Sequence, residues 1–315
     1  MPRTIRRVLC YRDYRGFTGG HLKVRDYLRH LAAAPAFQPE LYLTPDSVTD
    51  AADLWTDPAI PRVACWQPAK ADVLFLAGLD WRALTETERE QPRRPVLNLI
   101  QHPRHADPAD PRHAFLHHRA IRIAVSPEVG AALRGRVNGP LFTIPNGLDL
   151  ASLPRPMATW EERPIELLIA GLKRPALARQ FAAALSQDTT VRCLTDALPR
   201  AAFLEQLGSA RITVFLPHAT EGFYLPALEG MALGTLVICP DCVANRLFCR
   251  DAENCLMPAD ARPPTLLAAV ARARRLSPSQ RSRLLAAARR TAEEYDIALE
   301  RQRFHALLAD LDQLW

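Results

Sequence analysis

The chain has 315 residues, enough for about two domains each with its own core, and it contains no run of eighteen or so apolar residues that would cross a membrane as a helix. Seven cysteines, an odd number scattered from Cys10 to Cys255, argue against a disulfide framework. A net charge of +6 and a pI near 9.1 favour anionic partners without choosing between a nucleotide diphosphate, a lipid surface and nucleic acid.

The basic start, Met1-Pro2-Arg3-Thr4-Ile5-Arg6-Arg7, runs straight into a strand instead of the apolar region of a signal peptide, so a cytoplasmic protein is expected. In the first half, residues 5–11, 40–43, 73–76, 96–100, 121–125 and 141–144 read as strands. In the second half, residues 165–170, 190–194, 212–215, 236–239 and 255–257 do. Helix-like segments alternate with them, which predicts two parallel α/β halves. Residues 152–164 hold Pro154, Pro156 and Pro164 with little periodicity and read as the linker. Residues 279–314 read as two helices broken near Asp296. Neither half carries G-x-G-x-x-G after its first strand, which disfavours a nicotinamide dehydrogenase.

After the first strand, Gly16-Phe17-Thr18-Gly19-Gly20-His21 opens a helix whose Leu22, Val24, Tyr27, Leu28 and Leu31 keep helical spacing. The Gly19-Gly20 pair would let backbone N–H groups approach a phosphate or sugar; an ordinary turn capped by Thr18 is the competing reading. Only Lys23, Lys70 and Lys173 among the 40 basic residues are lysines. A lysine that survives such a drift to arginine reads as one held for its compact ammonium, which binds phosphate as a point charge. His102 follows the fourth strand at the carboxyl edge where open α/β sheets bind ligands, whereas His105, His113, His117 and His118 read as histidines gathered in a polar, proline-rich loop. The stretch lacks the paired spacing of a zinc site. Cys239, Cys242, Cys249 and Cys255 read as small buried hydrophobes, with Cys249 on an apolar helix face.

The densest signal is Thr220-Glu221-Gly222-Phe223-Tyr224-Leu225-Pro226-Ala227-Leu228-Glu229-Gly230-Met231-Ala232-Leu233-Gly234-Thr235. Two carboxylates flank a turn between a buried strand and a helix with Pro226 in its first turn. The N–H groups of Gly222, Phe223, Tyr224 and Leu225 would point out of that helix N-terminus, where the partial positive charge favours phosphate. A sugar nucleotide suits this geometry, because the carboxylates can accept hydrogen bonds from sugar and ribose hydroxyls. A pair of plain helix-terminus carboxylates is the competing reading.

In this Glu-x7-Glu motif and the Met-Ala-x-Gly-Thr run after it, the sequence resembles the retaining glycosyltransferases of the GT-B fold, the glycosyltransferase family 4 type. Further matches keep the family's order: Ile144-Pro145-Asn146-Gly147-Leu148-Asp149, then Ala170-Gly171-Leu172-Lys173, then Cys239-Pro240-Asp241 through Asn254. The resemblance covers residues 120–300 well and the first third loosely. It implies an α/β fold of two Rossmann-like domains facing a cleft. Residues 1–153 would form the acceptor domain, 154–295 the donor domain, and 296–315 a helix crossing back to the first domain. It further implies that Glu221 contacts the donor sugar and Glu229 the ribose, that Gly19 and Gly20 face the donor phosphates, and that His102 lines the sugar side. Asn146 joins the binding residues through its motif. Leu172 stands where members usually carry an arginine, so Lys173 with Arg174 must take the diphosphate.

The resulting expectation is a retaining glycosyltransferase with Glu221, Lys173 and His102 at the reaction centre. Gly19, Gly20, Arg174, Gly222, Phe223, Tyr224, Leu225, Glu229 and Asn146 would bind substrate. No metal or cofactor is expected beyond the nucleotide-sugar donor; Asp310-Leu311-Asp312, the one D-x-D triplet, reads as a solvated helix face. The acceptor would be a glycan, a lipid-linked sugar or a small molecule, and nucleic acid is not expected. Lys23, Arg25 and Arg29 beside the apolar face of the first helix are compatible with peripheral contact at the inner membrane face, although a core helix with a solvated basic face is preferred. A non-catalytic sugar-nucleotide or glycan-binding subunit and a nucleotide-sugar epimerase of the same fold are the alternatives.

Overall fold

The computed structural model describes residues 5–50, 54–155, 159–185 and 190–315; the first four residues of the basic leader and Pro156 of the linker lie outside them. The chain forms two compact units, Met1–Asn146 with Ala298–Trp315, and Gly147–Ile297.

Unit 1 is built on strands β1 (Arg6–Arg12), β2 (Phe37–Leu43), β3 (Val73–Ala77), β4 (Val96–Ile100), β5 (Ile121–Ala124) and β6 (Leu141–Thr143), parallel throughout and ordered β2-β1-β3-β4-β5-β6. The sequences VLFLA and VLNLI of β3 and β4 are buried at every position, as central strands of a parallel sheet are. Strand β2 begins three residues earlier than its apolar pattern suggests. It can include Pro39 because it is an edge strand, where a missing N–H costs no ladder bond. Between β1 and β2 runs helix α1 (Gly19–Ala32), capped by Thr18, whose hydroxyl accepts from His21 N at 3.2 Å. Two shorter helices, α2 (Glu86–Glu90) and α3 (Pro127–Leu133), precede β4 and β6.

Unit 2 carries β7 (Ile165–Ala170), α4 (Pro175–Ala183), β8 (Val191–Leu194), α5 (Arg200–Ser209), β9 (Ala210–Phe215), α6 (Leu225–Ala232), β10 (Leu236–Ile238), α7 (Pro263–Arg274) and α8 (Pro278–Glu294). Its sheet is ordered β10-β9-β7-β8, again parallel. Strand β7 shows why both faces are covered. Leu167 and Ile169 pack with Phe181 of α4 and Val270 of α7, whereas Leu168 and Ala170 pack with Leu207 of α5 and Leu228 of α6. Residues 255–257, expected as a further strand, make only a bridge beside β10. Leu256 exchanges bonds with Val237 and Cys239, but Met257 N goes to Asp251 Oδ1 at 2.9 Å, which ends the ladder.

The chain then returns to unit 1 as helix α9 (Ile297–Ala309), followed by the short α10 (Leu311–Leu314). Phe304 packs edge-on against Tyr27 of α1, 4.8 Å between centroids, and Glu300 lies 2.6 Å from Lys23 Nζ and 3.0 Å from His30 Nε2. Lys23, read from sequence as a candidate phosphate ligand, is therefore a core residue. It is 1% exposed, and although burial alone would lower its pKa, Asp26 and Glu300 carry it above the ordinary value. The other two basic residues of α1 pair within the unit, Arg25 on Asp26 and the solvent-exposed Arg29 on Asp57.

Candidate active site

In a sheet ordered β10-β9-β7-β8, the chain leaves β7 toward β8 on one side and later returns to place β9 on the other. The crevice where such connections diverge, at the carboxyl ends of β7 and β9, is where open α/β sheets bind ligands. Gly171, Leu172, Lys173 and Arg174 follow β7, and the turn carrying Glu221 follows β9. Lys173 Nζ lies 3.6 Å from Glu221 Oε1, which also accepts from His218 N at 3.4 Å. The lysine side chain is 51% exposed, so the pair lies open to water and is worth little as a stabilising bridge.

Why Gly171 is glycine follows from packing. A Cβ there would sit 2.1 Å from Ala178 Cβ of α4, so the helix closes directly onto the end of β7. Arg174 is the N-cap residue of α4, its own N–H donating to Gly171 O at 2.9 Å, and Leu172 points to solvent. Of the turn, the side chains go inward. Phe223 packs on Phe248 and Tyr295, Tyr224 stands edge-on to Phe215, and Leu225 is buried. What these residues can offer a ligand is backbone. Among the described residues, the N–H groups of Gly222, Phe223 and Tyr224 donate to no acceptor, at the N-terminus of the eight-residue helix α6.

Glu229, one turn further into α6, is 1% exposed, and its Oε1 lies 2.7 Å from Nη1 of Arg200. The arginine covers that oxygen, which has no surface open to solvent. Arg200 opens α5 and is absent from the residues expected by sequence. The one available signal was position: a basic residue starting the helix that follows the carboxyl end of β8.

The other expected residues belong to unit 1. Gly19 and Gly20 open α1, and Gln101 Nε2 donates to Gly20 O at 3.1 Å, which ties the glycine turn to the end of β4 where His102 follows. A Cβ on Gly16 or Gly19 would meet nothing within 4 Å. His102 is half-buried, and its Nδ1 accepts from Arg104 N at 3.0 Å, so a neutral ring carries its proton on Nε2. Asn146 is buried, with its N–H on Val125 O, and its side-chain oxygen has no hydrogen-bond partner among the described residues. At the switch point of this sheet, between β1 and β3, Arg12 and Asp80 pair at 2.7 Å; burial pushes the Asp80 carboxyl up to about 6 against the pull of Arg12.

Two side readings change. His105 and His118 lie in the loop but are buried, His118 stacking on Trp81, and burial pushes them down to about 3 and about 4. Cys249 is buried but not helical. Asn245 and Asn254 bind backbone groups across residues 240–254 with their side chains, a competition that favours turns over helix. Among the described residues no group of three or more His, Cys, Asp or Glu could hold a metal ion, and no helix is long and apolar enough to cross a membrane.

Residues 150–275 match the family model "Glycosyl transferases group 1". No curated protein matches the chain in sequence. Among solved structures, Anabaena HepE in complex with UDP-glucose aligns with TM-score 0.76 at 12% identity, over 97% of this chain and 100% of that one. The sucrose-phosphate synthase of Thermosynechococcus elongatus aligns with TM-score 0.73 at 15% identity, over 98% and 99%. A glycosyltransferase from Rickettsia africae aligns with TM-score 0.65 at 11% identity, over 98% of each chain. The two-unit α/β fold is GT-B, and together with the matched domain it defines a glycosyltransferase. Within that class, unit 2 carries the group 1 domain.

Proposed function

We propose that the chain is a retaining glycosyltransferase that takes its sugar from a nucleotide-diphosphate sugar bound by unit 2 and uses neither metal nor other cofactor. One observation carries this reading: at the switch point of unit 2, a cation, a carboxylate and three uncommitted backbone N–H groups meet at one turn. The N–H groups of Gly222, Phe223 and Tyr224, with Lys173 and Arg174, suit a diphosphate; Glu221 suits hydroxyls of the donor sugar and Glu229 those of the ribose. The UDP-glucose bound to HepE supports a sugar nucleotide as the ligand class. His102, Gly19, Gly20 and Asn146 are assigned to the site through the family resemblance, and unit 1 to the acceptor.

In this mechanism the acceptor oxygen bonds to the anomeric carbon as the bond to the phosphate oxygen breaks, both on the same face of the sugar. The acceptor proton passes to the leaving phosphate oxygen. No side chain forms a covalent intermediate; the protein supplies position and stabilises the charge growing on the diphosphate.

A thermal-shift screen against UDP-, GDP-, ADP- and dTDP-sugars identifies the donor, because a ligand at a hundred times its Kd adds about 2.7 kcal/mol of apparent stability. Transfer of the labelled sugar and the anomeric configuration of the product then test the reaction. An inverted product would overturn the retaining mechanism, and stabilisation by none of the donors would overturn the site.

A further inference from the structure

The carboxylate of Glu229 poses a physical problem that its neighbour solves. It lies on the inward face of α6, its side chain 2% exposed, where a charge is removed from water and needs a partner. Arg200 supplies the cation from another element, the first residue of α5, at 2.7 Å. Its contact neutralises the charge at Oε1, an oxygen sealed from solvent, so a ligand hydroxyl would meet the carboxylate at its other oxygen, Oε2. A ribose hydroxyl is a suitable donor, and its hydrogen bond to a carboxylate is charge-assisted. Arg200 itself is 22% exposed.

We propose that Arg200 is a positioning residue of the nucleotide subsite: it holds and aims the Glu229 carboxylate, and so sets the preference for ribonucleotide over 2′-deoxyribonucleotide donors. This rests on the reading of Glu229 as the ribose carboxylate. Glu229 then discriminates through the hydroxyl it accepts from, and Arg200 through Glu229.

Calorimetric titration of the full chain with UDP, GDP, ADP and CDP, each beside its 2′-deoxy counterpart, gives the affinity ratio. The native chain is expected to prefer the ribonucleotide about tenfold, the loss of one charge-assisted hydrogen bond. Arg200→Gln should bring the ratio within about twofold by weakening the ribonucleotide and sparing the deoxynucleotide, and Arg200→Lys should restore part of it. A general loss of structure would weaken both nucleotides alike. Combining Glu229→Gln with Arg200→Gln should lower the ratio no further than Glu229→Gln alone. If the native chain prefers the ribonucleotide and Arg200→Gln keeps or raises that preference, the role of Arg200 is wrong while the ribose reading stands. If the native chain binds none of the nucleotides, or binds both sugars equally, the ribose reading itself falls and the role of Arg200 with it.

Discussion

Glu221 and Glu229 belong to one turn and the helix it opens, yet their surroundings differ in kind. Glu221 faces a half-exposed lysine, whereas Glu229 is sealed against an arginine. On the proposed roles they fail differently. Glu221→Gln should depress turnover and leave the affinity for free nucleoside diphosphate nearly intact, since it removes charge beside the sugar alone. Glu229→Gln should weaken the diphosphate itself by roughly 1.5–3 kcal/mol, the worth of a hydrogen bond to a charged group. Calorimetry on both variants separates these outcomes; two variants that bind and transfer normally would reduce both residues to helix-terminus carboxylates. Lys173→Ala should weaken the sugar nucleotide and the free diphosphate alike, about tenfold each, because both share the phosphates. Diphosphate affinity unchanged by Lys173→Ala would remove that lysine from the site.

The two glycine turns after the first strands look alike in sequence and are made of different constraints. Gly171 is held by the protein's own packing, so Gly171→Ala should cost roughly 1–3 kcal/mol through overpacking against Ala178 and lower the melting temperature. Gly19 has open space where its Cβ would go, and Gly19→Ala should leave stability within about 0.5 kcal/mol. A large fall in activity with Gly19→Ala would therefore measure room needed by a ligand, and unchanged kinetics would return the turn to a plain helix start. At this scale most of the fold was legible. Short β-branched and leucine-rich runs such as VLFLA and VLNLI, bounded by turn residues, read as buried strands, and Thr18, Pro226 and the break near Asp296 punctuate the helices. The contact between Arg200 and Glu229 was not legible. It joins residues on separate helices, and in a chain so rich in arginine composition does not single one out. Lys23 was misread for a related reason: its partner Glu300 lies 277 positions along the chain, beyond any local pattern.

For the molecule as a whole, the buried cluster of Lys23, Asp26, His30 and Glu300 fastens α9 into unit 1. Glu300→Ala would leave Lys23 with one counter-charge in place of two. Breaking a buried pair in this way costs about 3–5 kcal/mol. Hydrogen exchange should accelerate in α1 and α9 and stay unchanged in the sheet of unit 2; equal acceleration in both units would contradict the separateness of the two cores. This arrangement was only partly foreseeable. The family resemblance placed a returning helix at the end of the chain, but the residues that hold it are spread over both ends of the sequence.

Unit 1 is made of the first 146 residues and the last 18, with unit 2 between them. A ribosome delivers those parts in that order. The first unit to be synthesised is thus the last to be completed: Lys23 and His30 emerge long before Glu300, while every residue of unit 2 is available sooner. Domains usually mature in the order of their synthesis, N-terminal first. Here the nascent chain is expected to finish its second half before its first, and a stop codon at the start of α9 would release a protein with an intact group 1 domain attached to an open core.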